Sequence, residues 1–184
     1  MRLIPLIFLT LLLSGCFIGP VEDFVDQMDD QYFADEFNNI SFHDGRPWGV
    51  EGDCAVPSAT QNEINGEEAA ILIKNGIMAV AEAANMPCEQ EAVDAFLNAQ
   101  ILFGPAKAVN AGGVGVSGLE MSQNSARIAW DEDHLRKLLE NMMQDIHDSC
   151  VRYGDTGGQV NYLKGSNIAG FVKVADAMVS YGHV

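Results

Sequence analysis

Three asparagines, Asn62, Asn85 and Asn110, each follow a short apolar run within a few residues. The stretches that carry them are Ser58-Ala59-Thr60-Gln61-Asn62, Ala83-Ala84-Asn85-Met86 and Gly104-Pro105-Ala106-Lys107, with Asn110 just beyond the last. A neutral amide both donates and accepts hydrogen bonds. A set of them therefore suits a ligand that carries a carboxamide and ribose hydroxyls, such as nicotinamide riboside. Asparagine also serves turns and caps for purely local reasons, and the residues by themselves leave both readings open.

Other groupings carry less. His147, Asp148 and Cys150 fall within one helical turn, but two potential ligands on an amphipathic helix are ordinarily its surface and buried edge, and no metal site is expected. His43, His134 and His183 have no useful spacing. Gly113 to Gly118 matches GxGxxG, yet a dinucleotide fingerprint must follow a strand directly and form its turn into a helix. Here the nearest strand-like run ends about ten residues earlier, so these small residues are expected to let a helix pack closely on its neighbours. Cys54, Cys88 and Cys150 are odd in number and irregularly spaced, which fits neither a disulfide framework nor a zinc pattern.

The elements that would position the asparagines are legible from residue 44 onward. Asp53 to Val56, Ile77 to Glu82 and Ile101 to Phe103 read as short strands. Between the first two, Asn65 and Glu68 form a capping box ahead of Ala69, Ala70, Leu72 and Ile73, and Gly76 closes the helix. Between the second and third, Glu89 to Ala99 places Ala92, Val93, Phe96 and Leu97 on one face. Alternation of strand and helix predicts an α/β fold with a parallel sheet and right-handed crossovers. Ligands of such sheets bind beyond the carboxyl ends of the strands, which is where all three asparagines would lie. After the third strand the pattern is helical: Leu135, Leu138, Leu139, Met142, Met143 and Ile146 mark one helix, and Ile168 to Val179 another beyond a loop at Gly154 to Gly158.

The start of the chain has a different character. Arg2, an apolar run from Leu3 to Leu13 and the Leu13-Ser14-Gly15-Cys16 sequence predict a lipoprotein-type signal over residues 1–15, with Cys16 as the lipidation site and a membrane anchor in the cell envelope. If the true start lies elsewhere, a cytoplasmic location is expected instead. Residues 16–43 read as an acidic tether or an amphipathic segment: Phe17 to His43 holds seven acids and no Lys or Arg, with Val21, Phe24, Val25, Met28 and Tyr32 at helical spacing. The formal net charge of -16 argues against a nucleic-acid partner and against electrostatic docking on anionic lipid.

Four blocks occur in the order of one known family: DCAVPSATQNE (Asp53 to Glu63), VAEAANMP (Val80 to Pro87), ILFGPAKAVNAGGVGVSGLEMSQNSARIAW (Ile101 to Trp130) and NYLKGSNIAGFVKVADAM (Asn161 to Met178). From about Asp44 to Val184 the chain resembles the C-terminal end of hexameric, NAD(P)-dependent glutamate dehydrogenases of the Glu/Leu/Phe/Val dehydrogenase group. The resemblance implies the later half of a Rossmann-like nucleotide-binding domain followed by C-terminal helices. It also implies a hydride transfer between NAD or NADP and glutamate/2-oxoglutarate. Asn62 and Asn85 would then line the nicotinamide and ribose end of the cofactor with Asn110 close by. Val114 and Ser117 would face the glutamate side chain, Ser117 offering its hydroxyl to the distal carboxylate. Lys107 would be structural.

Three departures from the family pattern stand out. Ala83 occupies a position where the family usually has Gly, so its Cβ would oppose a positive φ. Ser58 and Ser166 replace a usual Cys and Ala. The family's catalytic lysine, catalytic aspartate and phosphate-binding turn have no counterpart here, so the resemblance implies a C-terminal portion not active alone. It would work as a homo-oligomer or with a chain that supplies the missing domain. The alternative expectation, from the signal, is a lipid-anchored envelope protein that reuses the fold for binding or structure without redox turnover.

Overall fold

A computed structural model describes residues 45–182. Cys16 and the acidic 16–43 segment lie outside the described residues. The described residues open with a 3-10 turn, Pro47–Gly49, followed by β1 (Cys54–Ala55), α1 (Gly66–Lys74), β2 (Ala79–Ala81), α2 (Gln90–Asn98) and β3 (Leu102–Gly104). The three strands form a parallel sheet in sequential order, with Cys54 opposite Ala79 and Val80 opposite Phe103. The α/β alternation read from the sequence is thus the observed fold.

Local chemistry explains the element ends. Asn65 accepts from the Glu68 N–H while the Glu68 carboxylate accepts from the Asn65 N–H, each at 2.9 Å, so α1 starts with the expected capping box. Beyond its last turn Gly76 takes φ +86, open to glycine and costly for other residues. Side chains alternate across a strand, so Ala55, Val80 and Phe103 share one face and are buried under α1 and α2. Phe96 on α2 is fully buried and stacks on Phe103 with ring centroids 6.2 Å apart, closing the core together with Ile64, Leu72 and Val93. The opposite face carries the small residues Cys54, Ala79, Ala81 and Gly104 together with Leu102. It forms an open apolar groove of about 90 Å³, partly covered by Tyr162.

Four helices follow: α3 (Ala106–Val109), α4 (Ala111–Ala126), α5 (Glu132–Gly154) and α6 (Tyr162–Tyr181). Asp131 caps α5 through the His134 N–H, and Asn161 caps α6 through the Lys164 N–H. The last two form a hairpin whose backbones nearly touch. A Cβ on Gly165 would run into the Cys150 carbonyl, and one on Gly154 into that of Asn161. The Tyr162 hydroxyl and His147 Nδ1, 3.0 Å apart, join the helices beside this contact.

The Gly113 to Gly118 stretch lies inside α4, where no phosphate-binding turn can form. Only at Gly115 does the expected close packing occur: a Cβ there would collide with the Met142 thioether of α5. Among the described residues no helix is long and apolar enough to cross a membrane. The apolar stripe of α5 is half-buried between α4 and α6. Of these three helices, α4 (Val114, Met121) and α6 (Phe171, Val174, Met178) carry the exposed apolar side chains, because α5 is the central one.

Candidate nicotinamide-side rim

The rim is built from three loops that leave the carboxyl ends of the strands and brace one another. In the first, after β1, Glu63 folds back so that its carboxylate accepts from the N–H groups of Ala59 (3.0 Å) and Thr60 (3.4 Å). Arg46 and the Trp48 indole hold the same loop from outside, donating to the Glu63 carbonyl at 2.6 and 3.1 Å, and Arg46 also pairs with Glu68. Asn62 adopts φ 55, a left-handed conformation that asparagine tolerates better than most residues. Its N–H donates to the Met86 carbonyl at 3.1 Å, which ties the first loop to the second.

The second loop runs from Glu82 to Cys88. The N–H groups of Ala83 and Ala84 both donate to the Pro57 carbonyl at 3.0 Å, and the Ile64 N–H donates to Pro87 at 2.9 Å. Ala83 is not in the left-handed region, so its Cβ meets no conformational penalty. The positive φ of this loop falls at Met86 instead, at 50°. Burial, together with the nearby Glu82 and Glu63 carboxylates, pushes the Cys88 thiol far above its usual range, which keeps it protonated and unreactive.

The third loop passes through Pro105 into the single turn of α3, and Asn110 ends that turn and leads directly into α4. Asn110 Nδ2 donates to Asn85 Oδ1 at 2.7 Å. Two of the three asparagines singled out in the sequence are therefore in direct contact, and the third is one hydrogen bond away through Met86. Val114 and Ser117 stand about one and two turns beyond Asn110 on α4, three residues apart and so on a shared face, both exposed. Lys107 donates to Asn167 Oδ1 and ties α3 to α6, a structural part.

Glu82, Glu63 and Arg46 were not singled out from the sequence. Glu82 reads only as the end of a strand, and Glu63 only as the last residue of the DCAVPSATQNE block. The available signal was an acid at the end of an apolar run, where a carboxylate must find donors or stay unburied. His147 spends Nδ1 on Tyr162, and Cys150 is buried with its thiol raised by desolvation.

A parallel α/β sheet with a polar rim beyond its strand ends is the open-sheet class in which ligands bind outside the carboxyl ends of the strands. The comparisons narrow the class. The family model of Glutamate/Leucine/Phenylalanine/Valine dehydrogenase matches residues 21–182 and so begins upstream of Asp44, and this chain belongs to that family. It is 52% identical over 150 residues to an NADP-specific glutamate dehydrogenase of Salmonella typhi, covering 82% of this chain and 34% of that protein. It is 50% identical over 152 residues to an NAD-specific glutamate dehydrogenase of Bacteroides fragilis, with 82% and 34% covered. A solved glutamate dehydrogenase superposes with a TM-score of 0.81 at 39% identity, covering 88% of this chain and 36% of that one. The chain thus spans about a third of the length of the curated relatives it matches.

Proposed function

We propose that this chain supplies the nicotinamide-side wall of a glutamate dehydrogenase site, for the reversible oxidative deamination of L-glutamate to 2-oxoglutarate with NAD or NADP. The observation that carries the reading is the Asn110-to-Asn85 amide pair on the rim. Once paired, it leaves the Asn85 amino group as donor and the Asn110 carbonyl as acceptor, a complement to the carboxamide of nicotinamide. Asn62, beside Met86, adds a further amide for the ribose hydroxyls. The cofactor, when bound, accepts or returns the hydride. This chain's residues orient its carboxamide and, through Val114 and Ser117, receive the glutamate side chain and its distal carboxylate.

Polarising the keto group and moving the proton fall to parts of the complete site that the family places in its other domain. The relatives include both NAD- and NADP-specific enzymes, and the proposed cofactor is a nicotinamide dinucleotide. The test is a titration of the full chain with nicotinamide mononucleotide and, separately, adenosine monophosphate, following the side-chain amide resonances of Asn62, Asn85 and Asn110. The proposal requires all three to respond to the first ligand and not to the second. Equal responses, or none, would remove it.

Anchoring through Cys16 is a separate proposal that rests on the Leu13-Ser14-Gly15-Cys16 sequence. Intact mass of the protein from membranes of its host decides it: a chain beginning at Cys16 with added acyl mass supports anchoring, and an unlipidated chain refutes it.

A further inference from the structure

We propose that Glu82 is a positioning residue whose single carboxylate, fixed between two rim loops, sets the geometry of the Asn85 and Asn110 amide pair. The inference rests on the nicotinamide-side reading for its consequence, but not for its geometry.

Glu82 is a buried acid, 6% exposed. It forms no salt bridge with any described residue. Both carboxylate oxygens are used instead by main-chain donors: Oε1 accepts from the Cys88 N–H at 3.3 Å and Oε2 from the Ala106 N–H at 2.8 Å. Cys88 closes the loop that carries Asn85. Ala106 opens the single turn of α3 that ends at Asn110, whose own N–H returns to the Ala106 carbonyl at 2.9 Å. One side chain therefore fixes the base of each loop whose tip contributes an amide to the pair.

The main chain of Glu82 reinforces the clasp by donating to the Gly104 carbonyl at 3.0 Å, just before the third loop begins. A buried carboxylate is a costly way to fill space, and an apolar side chain would fill it without desolvating a charge. What an apolar side chain cannot do is accept two charge-assisted hydrogen bonds from loops that no strand ladder joins at this level. Glutamine has the right shape but turns an amide nitrogen toward one of the two N–H groups. Aspartate is one methylene short and reaches only one of them.

The test uses the full chain, its Glu82→Gln and Glu82→Asp variants, and Asn65→Ala as a control that weakens α1 away from the rim. Three quantities are read: the melting transition, the side-chain amide resonances of Asn85 and Asn110, and the affinity for nicotinamide mononucleotide. Both Glu82 variants are expected to melt cooperatively, to lose the bonded amide signature of the pair, and to bind about tenfold or more weakly. The control is expected to lose stability while keeping the signature and the affinity.

Folded Glu82 variants with an unchanged amide signature overturn the proposal. If the parent chain itself binds no nicotinamide mononucleotide, the functional reading fails, and the amide signature still decides the clasp. If neither variant folds, amide hydrogen exchange of the parent chain decides. The Cys88 and Ala106 N–H groups must then open together, with one common protection factor. Independent exchange of the two overturns the proposal.

Discussion

Two glycine-to-alanine changes on the same helix should have opposite signs. In a helix interior, alanine is favoured over glycine by about 1 kcal/mol. At Gly170 nothing lies within 4 Å of the added Cβ, so the full gain should appear. At Gly165 the added Cβ falls on the Cys150 carbonyl and close to its carbon and Cα, all of them backbone of α5. Backbone cannot rotate away as a side chain can, so the overpacking cost of about 1–3 kcal/mol should fall in its upper half. The net effect of Gly165→Ala is then a loss of about 1–2 kcal/mol. At roughly 3 °C per kcal/mol for a chain of this size, its midpoint should drop by about 3–6 °C and that of Gly170→Ala should rise by about 3 °C. Thermal and guanidinium unfolding followed by far-UV circular dichroism, at one fixed protein concentration, measures both. Equal signs would refute the claim that α5 and α6 meet backbone to backbone at Gly165.

Phe96→Ala removes a wholly buried ring stacked on Phe103 and should cost about 3–5 kcal/mol, read as a lower urea midpoint. Asn65→Ala removes an acceptor of the α1 capping box and should cost about 1 kcal/mol in the same assay. Burial raises Cys88 and Cys150 above the ordinary thiol value of 9.0 and Tyr162 above 10.0, so the folded chain holds these protons more tightly than the unfolded one. Stability should be complete below about pH 9 and fall as pH rises beyond it, in denaturant midpoints taken across that window. Phe171, Val174 and Met178 form an exposed stripe on α6 and should drive self-association. In sedimentation, the double change of Phe171 and Val174 to Lys should weaken that association by about tenfold or more.

The fold was legible because its signals are local. The Asn65 and Glu68 box, the periodic stripe of α2 and the apolar runs of the strands each dictate their element without reference to distant residues. Strand ends came out shorter than read, as at Ile77 and Glu82, because only Ala79 to Ala81 pair in register with a neighbouring strand, Ala79 and Val80 on both sides and Ala81 with Gly104 alone. The rim was legible in part. That three asparagines share the strand ends follows from topology. That Asn85 and Asn110 touch, or that Glu82 turns inward and not to solvent, depends on contacts across 25 and 24 residues with no periodic signature. That α5 is covered on its apolar face while α6 leaves a stripe exposed was not legible, since periodicity shows that a helix has an apolar face but not which neighbour covers it.

The most direct test of the proposed role is reconstitution with the complementary N-terminal two-thirds of a glutamate dehydrogenase relative. After isolation of the assembled complex, glutamate-dependent reduction of NAD and of NADP is measured. The account predicts turnover by the complex, none by either part alone, and a severe loss when the chain carries Asn85→Ala. An isolated complex with no turnover, or turnover indifferent to Asn85, would contradict it.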